Sequence, residues 1–157
     1  MIFDPLRPTA FRAPGADGYI RTVLDVTPHW LDVALGVAED AAVELGLAEL
    51  LPEGVTVVPF RPCAPSHPDR VGPMAPIPNG FTMVTAAGDP LQEIFVRADM
   101  APAALEATVA HEMRHVWQNL RGGHAFRSEE AAEADARRFE LEWIAAHRPA
   151  IEAASNA

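Results

Sequence analysis

The chain has 157 residues, nearly half of them apolar, with a formal charge of −10 and a single cysteine. That is long enough to bury one core, and too acidic to suggest a nucleic-acid partner, whose phosphates need clustered cations. No apolar run approaches the roughly 18 residues of a membrane span, and the lone Cys63 cannot close an intrachain disulfide, which suits a reducing cytoplasm.

In chain order, Met1 to Pro8 lacks a basic stretch followed by an apolar one, so no secretory leader is expected. All twelve basic residues are arginine and Ala and Pro abound, as in GC-rich bacterial or phage genomes. Residues 1–20, with Pro5, Pro8, Pro14, Gly15 and Gly18, read as an irregular N-terminal segment. Residues 21–27 form a short strand with imperfect alternation. Thr27 and Pro28 then start a long helix predicted over 28–51, on the spacing of Leu31, Leu35, Ala38, Ala42, Leu45, Leu47 and Leu50.

Val55 to Phe60 is short and β-branched, a strand. Residues 61–80 carry six prolines and are predicted to be a long loop, holding neither helix nor central strand. Two further strands, Phe81–Ala86 and Leu91–Arg97, flank a turn at residues 87–90 and should pair as an antiparallel hairpin. Asp99 caps a helix entered through Pro102 that runs to Leu120 and stops at Gly122 and Gly123. Ser128 opens a final helix reaching about Ala146, before Pro149. The order predicts one α+β domain over 1–157, with a long first helix, a small three- to four-stranded sheet and two closing helices.

The second helix contains His111-Glu112-Met113-Arg114-His115. Imidazoles at i and i+4 leave one helix face about 6 Å apart at Cβ, a spacing that lets both reach one tetrahedral zinc. Glu112 lies beside that pair, placed to act as general base toward a water at the metal. Zinc would acidify that water and polarise a scissile carbonyl. Alanines, Val109, Met113, Val116 and Trp117 make the helix apolar over much of its circumference, so it should be buried, and its histidines then need partners or a metal. A third protein ligand is required, and Glu129, Glu130, Glu133 and Asp135 on the final helix are the candidates.

The segment Glu133-Ala134-Asp135-Ala136-Arg137-Arg138-Phe139 resembles the Glu-x-x-Ala-x-x-Phe pattern on the second metal-binding helix of compact gluzincins. The likeness is to ImmA/IrrE-type peptidases and, more loosely, to minigluzincins; Thr108 to Gln118 is similar to their active helix. It covers roughly residues 29–147 in element order, with specific matches around 107–118 and 129–139. The resemblance implies a zincin-like fold, Glu133 as third ligand, Ala136 as the point of close helix approach and Phe139 packed beneath the site. Glu129 is the next choice for the ligand. It also implies that the strand before the active helix, Leu91 to Arg97, is an edge strand that pairs with extended substrate. Two positions depart from the pattern: Arg114 stands where a small residue is common, and Arg137 where Asn or Asp usually supports a ligand.

The expected function is therefore a zinc peptidase acting on a peptide or protein, with no nucleic-acid or membrane partner and an open oligomeric state. A zinc-binding regulatory module without turnover is the alternative, against which the retained Glu112 argues. Cys63 and His67 read as ordinary loop residues, with a lid over the cleft the less favoured view. His124 reads as a loop residue without a role, with a place near an oxyanion the less favoured view. Trp30, Trp117 and Trp143 fall at helical positions where core packing is the default.

Overall fold

The computed structural model describes residues 10–12, 19–23, 25–51, 54–63, 78–83, 89–122 and 128–155. These form α+β architecture: β1 (Ala10–Arg12), β2 (Tyr19–Thr22), α1 (Pro28–Glu44), β3 (Thr56–Cys63), β4 (Gly80–Thr82), β5 (Glu93–Arg97), α2 (Pro102–Trp117) and α3 (Glu129–Ser155). A π-helical turn, Gln118–Gly122, follows α2 directly. The strands make one sheet in the order β1-β2-β3-β5-β4, antiparallel throughout except for the β3–β5 pair. No helix among the described residues is long and apolar enough to cross a membrane.

Neighbouring strand residues point to opposite faces, and the core divides accordingly. Val57, Ile94 and Val96 face the helices and join Ala34, Ala38 and Ala41 of α1 with Leu105, Val109, Met113 and Val116 of α2. Val58, Phe60, Phe81 and Phe95 form a second buried cluster with Ile20, in which Phe81 and Phe95 stack at 4.6 Å. Helix α2 packs on α1, α3, β4 and β5. Contact on so many sides explains why it is apolar over much of its circumference, as expected from its sequence.

The expected antiparallel pairing is present, with Gly80 opposite Val96 and Thr82 opposite Ile94, but β4 spans only Gly80–Thr82, and residues 84–88 of the predicted strand and turn lie outside the described residues. Several boundaries differ from expectation. Helix α1 ends at Glu44 and not near 51, because Gly46 takes a positive φ of 68° and turns the chain. Gly46 N–H then donates to Val43 O and Leu47 N–H to Ala42 O, a Schellman closure that satisfies the last carbonyls. The leucines beyond it stay buried (Leu47 and Leu51) while lying outside the helix, which is why they extended the apparent period.

The N-terminal segment is not wholly irregular, since β1 and β2 lie within or across it and bring the sheet to five strands. Strand β3 runs through Pro62 to Cys63, into the predicted loop. Beyond Phe60 it is paired only with β2, so proline there interrupts no second ladder. Pro59 accepts from Val23 N–H at the point where β2 has ended, and its missing donor faces the same way.

Asp99 does not cap α2. It pairs with Arg97 at 2.9 Å, and Ala101 holds the N-cap position ahead of Pro102. Helix α3 continues past Pro149 to Ser155, forgoing the one backbone bond that proline cannot donate. The edge strand is also reassigned: β5 is interior, between β3 and β4, and the three-residue β4 is the edge.

Candidate metal centre

Helix α2 carries His111 and His115 on the face turned toward α3, one turn apart, with their rings edge to face at 4.9 Å. The two Nε2 atoms lie 3.2 Å from each other. Glu133 reaches across from α3, with Oε2 3.1 Å from His111 Nε2 and Oε1 2.8 Å from His115 Nε2. Among the described residues this is the one group of three histidine, cysteine or acidic side chains whose ligand atoms converge, all within 4.8 Å. Glu129 and Glu130 are exposed and outside it, and Asp135 points elsewhere. The donor set fits zinc: at metal–nitrogen bonds near 2.05 Å, tetrahedral ligands stand about 3.3 Å apart, close to the spacings seen. Both imidazoles are only partly exposed and Glu133 is mostly exposed, so the centre opens to solvent on the Glu133 side.

Behind each histidine stands a polar residue that the sequence reading did not assign. His115 Nδ1 lies 2.7 Å from Gln118 Oε1. Glu140 Oε2 lies 3.6 Å from His111 Nδ1 and accepts from Arg137 at 2.8 Å. Arg137 thus occupies the position where a supporting Asn or Asp was expected, and it serves the site through Glu140. The only sequence signal for Glu140 was its place one turn beyond Ala136 and seven residues beyond Glu133, on the same helix face.

Arg114, the other departure, ties α2 to α3. Its guanidinium donates to both oxygens of Asp135, at 2.7 and 3.2 Å, and lies 3.9 Å over the Trp117 ring. Burial raises the Asp135 pKa, but hydrogen bonds from Arg114 and Gln118, with Arg114 and Arg138 beside it, outweigh that and hold it at about 2. Ala136 is fully buried on the face of α3 that packs on α2, and Phe139 is buried in the main core.

Glu112 points toward the sheet. It is 4% exposed and accepts a 2.6 Å hydrogen bond from Thr82 Oγ1 on the edge strand β4. Burial pushes its pKa up; the neighbouring His115 ring and the Thr82 hydroxyl offset this only in part. Gly80 allows the strand so close: a Cβ there would meet Thr108 Cγ2 at 2.7 Å and Glu112 Cγ at 3.1 Å. Asn119 fastens the end of the same strand, donating to Met83 O and to Gln92 Oε1 at 3.0 Å each.

Trp30 and Trp143 are core residues, as expected, while Trp117 is half-buried under Arg114. His67 and His124 lie outside the described residues, as does the side chain of Cys63.

No family model, no curated protein and no solved structure matches the chain.

Proposed function

We propose that this protein is a zinc-dependent peptidase of the compact gluzincin type, in which His111, His115 and Glu133 hold the metal and Glu112 is the general base. One observation carries the reading: two imidazole nitrogens and a carboxylate from a second helix converge within coordinating distance, next to a buried glutamate in the following helical position. A structural zinc site needs no such glutamate. When bound, zinc would supply Lewis acidity to a scissile carbonyl and acidify a water.

The remaining work falls to the protein's own side chains. Glu112 takes a proton from water and returns it to the leaving amine. Thr82 occupies one carboxylate oxygen, which leaves the other to meet the water. β4, an outermost strand of the sheet among the described residues, offers backbone groups to which an extended peptide could pair beside the centre. The lone Cys63 fits a cytoplasmic setting.

The test is a comparison of wild type with Glu112→Gln on a broad peptide mixture, with zinc content measured for both. Cleavage by wild type alone, with zinc in both, is the expected outcome. Zinc in both with cleavage in neither would point to a binding module.

A further inference from the structure

Gln118 is 4% exposed at the junction of α2 and the π-helical turn, three residues beyond His115 and so beside it on the same helix face. A glutamine amide has two N–H donors and one acceptor oxygen. Both donors here are taken: Gln118 Nε2 donates to Ala132 O and to Asp135 Oδ2, at 2.9 Å each. Neither partner can donate back, since one is a carbonyl and the other a carboxylate whose two oxygens accept from the Arg114 guanidinium, with Arg138 at 2.9 Å. The amide orientation is therefore set by its surroundings, and the only atom it can turn to His115 is an acceptor. The proton in the 2.7 Å contact must sit on His115 Nδ1.

We propose that Gln118 is a positioning residue that holds neutral His115 in its Nδ1–H tautomer and so presents the Nε2 lone pair to the metal. This rests on the zinc reading above. In water, neutral imidazole otherwise favours the proton on Nε2, the atom that faces His111 and Glu133. Gln118, able only to accept here, opposes that preference. The chain Arg114–Asp135–Gln118–His115 fixes the ring from α3, the helix that also brings Glu133, so one helix contact sets both the third ligand and the tautomer of the second.

The test has two arms. The first records long-range proton–nitrogen spectra of metal-free wild type, at a pH where the ring is neutral, for the Nδ1–H signature of His115. The second measures zinc affinity by chelator competition for wild type, Gln118→Met, which keeps side-chain length but has no amide, and Gln118→Glu, which keeps an acceptor. Expected are the Nδ1–H form in wild type, its loss in Gln118→Met, and a 10- to 100-fold weaker zinc affinity there, roughly the usual effect of removing such a partner. Gln118→Glu should also fall short of wild type, because its second oxygen meets the Ala132 carbonyl and the Asp135 carboxylate where the amide donates. Thermal unfolding of each variant separates a local effect from a collapsed fold. Equal zinc affinity in wild type and Gln118→Met, or a wild-type ring protonated on Nε2 alone, would overturn the inference. A wild type that binds no zinc overturns it together with the peptidase reading, whereas Gln118-dependent zinc binding without cleavage of any peptide removes only the latter.

Discussion

On the helix side of the centre, His115 is backed by Gln118 and the charged Asp135, locked between α2 and α3, while Glu140, paired with Arg137 on α3, stands 3.6 Å from His111. On the sheet side, Glu112 meets one hydroxyl, Thr82, from a strand of three residues. The proposed ligands are thus aimed by an interlocked, charge-paired contact between α2 and α3, and the proposed base by a single hydroxyl from the last strand of the sheet. Damage to the first should cost stability and metal together. Damage to the second should leave the metal in place and alter turnover.

Asp135→Ala should break that contrast most severely. It strands Arg114 and one Gln118 donor at a largely buried contact, with an expected loss of about 3 kcal/mol. Denaturant unfolding reads it, and zinc affinity should fall as well; a stable variant with undiminished affinity would mean the helix contact does not aim the ligands. Gly80→Ala comes next. The added methyl collides with Thr108 and the Phe95 carbonyl, and displacing β4 should cost about 2 kcal/mol in thermal unfolding while zinc content stays at the wild-type level.

Thr82→Val is milder. Losing the hydroxyl should lower stability by about 1 kcal/mol and slow peptide turnover, with zinc unchanged and with Thr82→Ser close to wild type. If the valine and serine variants turn over alike, the edge strand does not steer the base.

The smallest expected effect is a pH-dependent control at Glu106, on α2 but outside the centre. Burial raises the pKa of Glu106 above the usual 4.5, with only His147 acting against it. A carboxyl whose folded pKa is raised contributes its full stability below about pH 4.5 and loses it as pH rises. Glu106→Gln should therefore melt about 2 °C higher than wild type at pH 7 and at the same temperature near pH 4. A gain at acid pH instead would reverse the assignment.

The convergence of His111 and His115 was legible because helical spacing alone brings them together, and the resemblance on the final helix singled out Glu133, which the structure places beside them. What supports them was not, because Gln118, Glu140 and Thr82 acquire their partners only when α3 and β4 pack on α2. Arg137 looked like a missing support until Glu140 was seen between it and His111. Among the elements, buried leucines continued the period of α1 past the turn at Gly46, whose positive φ no hydrophobic pattern reveals. Proline suggested breaks at Pro62 and Pro149 that the chain does not make. At Pro62 the ladder is one-sided, while the continuation through Pro149 has no such compensation among the bonds described.

Zinc stoichiometry and X-ray absorption at the zinc edge, recorded on wild type and His115→Ala, test the centre most directly. The account predicts about one zinc per chain with two imidazole nitrogens and a carboxylate oxygen in its inner sphere, and loss of that zinc in the variant. A wild type that takes up no zinc, or a His115→Ala protein that binds it equally well in the same environment, would contradict it.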